Sequence, residues 1–176
     1  MMGRQKSLVH YLSSLSEAER TETLHRCCGS TRWSHELSIR ISIEIPDSIE
    51  RLFMLSEEIW SSMDKVDYLE AFSHHPQIGA DPDKLRERFQ KTHTWSANEQ
   101  SGMSGASEST IMRLAQGNTD YLDKFGYIFI VCATGKSADE MLALLEARLP
   151  NDPIDELKNA AAQQAKITRL RMEKLI

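Results

Sequence analysis

The sequence predicts an all-α fold, a single-domain bundle of several helices spanning residues 1–176. Three observations carry this. Helix-start signals recur along the whole chain, apolar residues fall at helical spacing between them, and only 8 Gly and 5 Pro interrupt 176 residues. That is far too few for the many turns of an all-β protein. A chain of this length is the size of one ordinary domain. With 40% hydrophobic and 27% charged residues it has the composition of a folded globular protein rather than a disordered one.

The elements follow in order. Ser16 with Glu19 forms a capping box, and Gly29 is a natural stop for the helix between them. Asp47 or Ser48 can cap a second helix, in which Ile49, Leu52, Phe53, Ile59, Trp60 and Met63 recur on one side. Asp64 with Asp67 opens a short helix carrying Val66, Leu69 and Phe72. It ends near His75, because Pro76 disfavours the α conformation in the residue before it. Asp81-Pro82 starts another helix, with Asp as cap and Pro at the first helical position. Ser96 with Glu99 predicts a long helix ending at Gly117, and Ser137 with Glu140 one more. Asp152-Pro153 opens the last helix, which runs toward the C-terminus.

One segment disagrees with the helical pattern. Tyr127-Ile128-Phe129-Ile130-Val131-Cys132-Ala133 is β-branched and aromatic, as a buried strand would be. No second strand exists to pair with it, and a lone strand leaves its backbone groups unsatisfied. A buried helix or an extended core segment among helices are the two readings.

Charge and composition narrow the function classes. The net charge is −5, spread along the chain without a basic stripe, so neither nucleic acid nor an anionic membrane is an expected partner. No run approaches the ~18 apolar residues of a membrane span. Met1 to Leu15 lack a long apolar core and a small-residue cleavage site, and Lys174-Leu175-Ile176 is not a peroxisomal signal. Cys27, Cys28 and Cys132 are an odd number without Cys-x-x-Cys spacing, which fits a reducing, cytoplasmic setting and gives no zinc-ligand pattern.

The polar candidates are few. His74-His75-Pro76-Gln77-Ile78-Gly79 joins two helices. A solvated turn would explain it, but Pro76 fixes the backbone and Gly79 permits an unusual turn, together holding an imidazole at a helix end. Adjacent histidines make a poor metal pair, since helical ligands sit at i and i+3 or i+4. In Trp95-Ser96-Ala97-Asn98-Glu99-Gln100 a capping box alone accounts for Ser96 and Glu99. A helix N-terminus also offers free N–H groups to a substrate anion or carbonyl. In the last helix Arg171 lies near the stripe of Leu157, Ala161 and Leu175, while Arg169 points away. An arginine at such a margin either snorkels to water or reaches an anion. Trp33 reads as a packing residue that can also shape a pocket.

Taken together and in order, these pieces resemble a known family. They are Cys27-Cys28-Gly29-Ser30 with Trp33, His75-Pro76-Gln77-Ile78-Gly79, and Trp95-Ser96-x-x-Glu99-Gln100-x-Gly102. Further along come Phe125-Gly126-Tyr127-x-Phe129-x-Val131-Cys132-Ala133, Arg148-Leu149-x-Asn151-Asp152, and Lys166-Ile167-x-x-Leu170-Arg171. From about residue 10 onward the chain resembles the 2-oxo-4-hydroxy-4-carboxy-5-ureidoimidazoline (OHCU) decarboxylases of urate degradation. The resemblance implies an all-helical bundle of that type, usually a cytoplasmic homodimer, with no metal or organic cofactor. The substrate it implies is the small molecule OHCU, which the family converts to (S)-allantoin.

It also implies roles for particular residues. His75 would be the general acid/base, Glu99 would fix the substrate ring through its N–H or hydroxyl groups, and Arg171 would hold or polarise it. Pro76, Ser96, Ala97, Asn98 and Gln100 would line the pocket. So would the backbone of Phe129, Ile130, Val131, Cys132 and Ala133. Ser101 stands where relatives often carry alanine. Two other classes stay open: a metal-dependent hydrolase of a small cyclic amide using His74, His75, Asp81 or His93, and a non-catalytic helical interaction module.

Overall fold

A computed structural model describes the main chain of residues 2–77, 79–96 and 107–176, with side chains for 8–77, 79–89 and 107–176. Among these residues there are nine helices and no strand. They are α1 (Met2–Ser14), α2 (Glu17–Cys27), α3 (Thr31–Ile43), α4 (Ile49–Ser61), α5 (Lys65–Ser73), α6 (Pro82–Ser96), α7 (Glu108–Phe125), α8 (Ala138–Arg148) and α9 (Pro153–Glu173). The contacts group them into two compact units, Met1–His74 with Ala161–Ile176, and His75–Ala160.

The first unit is built from α1 to α5 and the C-terminal part of α9. The Ser16–Glu19 capping box opens α2, Ser48 rather than Asp47 caps α4, and Asp64 with Asp67 boxes the start of α5. One side of each helix turns inward: Leu8, Leu12, Leu24, Trp33, Leu37, Ile41, Leu52, Trp60 and Phe72 are all buried. Val66, expected on the covered side of α5, is 77% exposed, because only Ala71 and Phe72 of that short helix are buried. Helix α3 carries no prominent start signal in the sequence beyond Ser30, whose hydroxyl accepts the Trp33 N–H at 3.2 Å. Its place is decided by packing, as the 1% exposure of Trp33 indicates. The Trp33 indole donates to Ser56 O at 3.1 Å and that of Trp60 to Ala161 O at 2.9 Å, so two large apolar side chains also satisfy helix carbonyls.

The second unit holds α6, α7, α8, the N-terminal part of α9, and the connection between α7 and α8. Asp81 accepts the Asp83 and Lys84 N–H groups at the start of α6, and the Ser137 hydroxyl accepts the Glu140 N–H at 3.1 Å at the start of α8. The long helix differs from the sequence reading at both ends. Ser96 is the last residue of α6, and the next described helix opens at Glu108 with Ser107 as its cap. Gly117 does not stop it. A glycine costs a helix interior about 1 kcal/mol, which tertiary contact readily overrides. Here the missing Cβ lets Leu145 of α8 in: a Cβ on Gly117 would lie 2.7 Å from its Cδ2. The helix ends instead at Gly126, which takes the left-handed conformation at φ +83° and returns its N–H to Leu122 O.

The segment 127–133 is neither helix nor strand. Of the two readings of this stretch, the buried helix is excluded. Tyr127 and Ile130 are buried and the rest half-buried.

Replacing Gly117 by Val should push β-branched bulk into fully buried Leu145. Overpacking of this kind costs about 1–3 kcal/mol. The expected outcome is a melting temperature several degrees lower with an unchanged far-UV helix signal; a variant as stable as the parent would show that α8 moves aside freely.

Candidate active site

His75 follows directly on a helix end. The α5 cap residue is His74, whose N–H returns to Ala71 O at 3.2 Å. The His74 ring is committed to packing: it meets His25 edge-on at 5.2 Å, and a Cβ on Gly29 would come within 2.4 Å of it. Gly29 is thus required for the close approach of an imidazole, not only as a helix stop. His75 is half-buried and Pro76 exposed. Further along the same loop Gly79 presses on Asn118 of α7, where an added Cβ would lie 2.7 Å from the amide carbon. The loop is therefore held by close contact as well as by Pro76.

The Cys27-Cys28-Gly29-Ser30 stretch is the corner between α2 and α3. Burial pushes both thiols up to about 11, although the nearby Arg171 charge opposes this. At neutral pH they are thiols, not thiolate nucleophiles. Thr31, at the start of α3, donates its N–H and hydroxyl to the Glu70 carboxylate at 2.7 and 2.9 Å, tying the corner to α5. Arg171 donates from Nη1 to Cys27 O at 3.3 Å and is half-buried. Arg169 is exposed, pairs with Glu173 at 3.3 Å and lies 4.4 Å over the Phe53 ring. The covered side of α9 is more polar than the Leu157–Ala161–Leu175 stripe suggests: Glu156, Ala160, Ala161, Gln164, Thr168 and Met172 are the buried residues, with Leu157 and Leu175 half-buried.

A shallow, solvent-open hollow lies in the first unit between Trp33, Phe53 and Trp60, with Ser56, Thr168 and Arg169 at its wall. Trp33 does shape a hollow, then, but none of the other candidate site residues among the described side chains lines it.

In the second unit two cations hold carbonyls of the 127–133 segment. Lys136 Nζ donates to Cys132 O at 2.9 Å, and Arg148 Nη1 to Ile130 O at 2.7 Å. Arg148 also lies 4.6 Å over the Phe129 ring and grips the fully buried Glu156 through Nε at 2.9 Å and Nη2 at 2.6 Å. The Tyr121 hydroxyl donates to the same Glu156 oxygen, while Asn151 and Asn159 donate to the other at 3.1 and 3.2 Å. Burial pushes the Glu156 carboxyl up, but the hydrogen bonds from Arg148, Tyr121 and Asn151 and the Arg148 charge outweigh it, so the group sits below the usual carboxylate range. Sequence reasoning noted Arg148 and Asn151 within a motif but passed over Glu156 and Tyr121. A glutamate in the first turn of a helix reads as dipole compensation, and only its neighbours make it a buried carboxylate.

Ala97, Asn98, Glu99 and Gln100 lie outside the described residues, as do the side chains of Ser96 and His93. Among the described residues no three His, Cys, Asp or Glu side chains converge as a metal site would require. No described helix is long and apolar enough to cross a membrane.

Comparison with known proteins gives this arrangement its family. The OHCU decarboxylase family profile matches residues 13–173, and the chain belongs to that family. It is 40% identical over 152 residues to the uric acid degradation bifunctional protein TTL of Arabidopsis thaliana, covering 85% of this chain and 45% of that protein. It is 31% identical over 77 residues to the OHCU decarboxylase of Amia calva, covering 44% of each. The chain thus spans less than half the length of these curated relatives. A crystal structure of OHCU decarboxylase in the presence of (S)-allantoin superposes with a TM-score of 0.64 at 38% identity, covering 86% of this chain and 94% of that one. A crystal structure of (S)-allantoin synthase shares the fold, with a TM-score of 0.70 at 20% identity over 93% of this chain and 52% of that one.

The Glu156 carboxylate makes the stability of the second unit depend on pH. Its folded pKa is depressed, so its contribution is present above the unfolded value, near 4.5, and is lost as pH falls through the folded value. Glu156→Gln leaves Arg148 buried without its counter-charge, at an expected cost of about 3–5 kcal/mol at neutral pH. Thermal melts across pH should show the gap to the parent closing below the usual carboxylate range. A gap that stays constant into acid would show that charge is not what the pair contributes.

Proposed function

We propose that this chain decarboxylates OHCU to (S)-allantoin. The observation that supports the reading most strongly is the family match over residues 13–173, joined by 38% identity to an OHCU decarboxylase studied with (S)-allantoin, of which the chain covers 94%.

The reaction needs little from the protein that a helical scaffold cannot supply. The carbon that bears the carboxylate also bears a hydroxyl and adjoins a ring C=N bond. When the C–C bond breaks, carbon dioxide leaves and the electron pair moves into that C=N. The ring nitrogen that receives the displaced pair takes a proton from solvent; the hydroxyl then gives up its proton to a base as the carbonyl forms, and the neighbouring ring carbon gains a proton on one face. The substrate is its own electron sink, the task an organic cofactor performs elsewhere, so we assign no cofactor and no metal. His75 binds the hydroxyl and moves the proton, the work imidazole side chains commonly do in general acid–base catalysis. Glu99 accepts hydrogen bonds from ring N–H or hydroxyl groups and fixes the ring, and Arg171 holds the carboxylate. Pro76, Ser96, Ala97, Asn98, Gln100 and the backbone of Phe129–Ala133 line the pocket. Residues 1–176 serve as one decarboxylase domain of a cytoplasmic homodimer, with no nucleic-acid or membrane partner.

The experiment is an assay that generates OHCU from urate and follows the optical activity of the allantoin formed, since uncatalysed decay gives racemic product. Optically active allantoin formed in proportion to enzyme supports the reading; racemic product at the uncatalysed rate overturns it.

Within that assay His75→Asn is expected to keep its fold and lose roughly 10²–10⁴-fold in rate. His74→Ala, by contrast, should lower the melting temperature through the lost packing on Gly29 and His25 and leave turnover near the parent. The reverse ranking would exchange the two roles.

Glu99→Gln tests the substrate role directly. Ser96 closes α6 instead of capping a helix, so a Glu99 that does not touch substrate would leave turnover unchanged. A carboxylate that accepts from the substrate would be replaced by a donor, and kcat/KM should fall about ten- to two-hundred-fold, with residual product losing enantiomeric excess. Unchanged rate and stereochemistry would overturn the substrate role of Glu99.

A further inference from the structure

We propose that Arg148, locked by buried Glu156, is a positioning residue for the reaction: it sets the main chain at Ile130 so that the Phe129–Ala133 backbone meets the substrate. The proposal rests on the functional reading above, in which that backbone lines the OHCU pocket.

The geometry points past a purely structural pair. Glu156 is 0% exposed, and all its acceptor capacity is taken: Arg148 and Tyr121 on one oxygen, Asn151 and Asn159 on the other. A buried ion pair is weak evidence of stabilisation, since apolar residues of similar volume often do as well. What apolar residues cannot do is hold a carbonyl. The Arg148 guanidinium is planar with a fixed fork of donors. With Nε and Nη2 committed to Glu156, Nη1 is aimed in a set direction, and Ile130 O receives it at 2.7 Å. The same guanidinium lies over the Phe129 ring at 4.6 Å, and Tyr121, hydrogen-bonded to Glu156, meets that ring edge-on at 5.2 Å. Phe129 and Ile130 are therefore each fixed from the same buried carboxylate.

The segment needs such a device. It has no ladder to fix its conformation, and a site displaced by about 1 Å loses much of its effectiveness. Its carbonyls at 130 and 132 are instead pinned by side-chain cations, Arg148 and Lys136. Main-chain contacts to ring and ureido amides would be made equally in the bound substrate and the transition state. Loosening them should therefore raise KM more than it lowers kcat.

The test uses the full chain, steady-state kinetics with OHCU and thermal melts. Arg148→Lys retains a cation for Glu156 but cannot reach the carboxylate and Ile130 O in the same fork. We expect a KM raised about tenfold, the scale of one or two weakened hydrogen bonds, with a smaller change in kcat. Arg20→Lys is the control, a buried arginine that binds Leu12 O and Ser38 O in the other unit; it should lower the melting temperature and leave KM unchanged. An Arg148→Lys enzyme with KM within twofold of the parent overturns the proposal. Where Arg148→Lys fails to fold, the apolar double variant Arg148→Met/Glu156→Met decides: raised KM supports positioning, parental KM overturns it. Failure of both to fold also overturns it, by making the pair a stability element. A parent chain that does not turn over OHCU fails the functional reading instead, so the two failures are distinguishable.

Discussion

In an all-helical chain the burdensome groups are the backbone carbonyls at helix ends and in loops, and this protein repeatedly brings basic side chains, most of them buried or half-buried, to main-chain carbonyls. Arg20, 5% exposed, gathers Leu12 O and Leu15 O at the end of α1 and Ser38 O in α3. Arg171 takes Cys27 O at the end of α2, and Lys124 takes Leu149 O and Asn151 O beyond α8. Arg148 and Lys136 hold the segment between α7 and α8. A positive charge at a helix C-terminus also complements the dipole there.

This habit links fold to chemistry. On the proposed function, in which no cofactor takes part, catalysis would work through placement: polar groups held where charge develops, on a frame that does not relax. The fork of Arg148 on Glu156 gives such rigidity to a stretch of irregular backbone, and close contacts of Gly79 on Asn118 and His74 on Gly29 give it to the loop around His75. Irregular backbone is where binding groups are commonly found, because its N–H and C=O groups are free to face a ligand.

The cysteine-containing corner illustrates how a motif acquires meaning from its surroundings. Two adjacent cysteines invite a reading as reactive thiols. Burial pushes both up to about 11, and the neighbouring backbone carries the consequence instead: Cys27 O is an acceptor for Arg171, Gly29 admits His74, and Ser30 starts α3.

The sequence by itself determined the helical architecture and most helix starts. Ser16, Ser48, Asp81, Ser107, Ser137 and Asp152 accept N–H groups two or three residues away, and Asp67 accepts the N–H of Asp64; so local a contact is written in the chain. Ser107 among them was passed over for Ser96, since the same residue types occur at both places. The order of motifs also identified the family, and with it the candidate residues. Tertiary structure decided what depends on distant partners. Gly117 continues a helix because Leu145, 28 positions on, fills the space a side chain would need, and Gly126 ends it. The 127–133 segment is neither helix nor strand, and its Ile130 carbonyl is met by Arg148, 18 positions on. Glu156 is a buried anchor rather than a dipole charge because Tyr121, 35 positions earlier, and Arg148 converge on it. No local pattern encodes such a meeting, because its free energy comes from desolvation and close contact that exist only once the chain has folded.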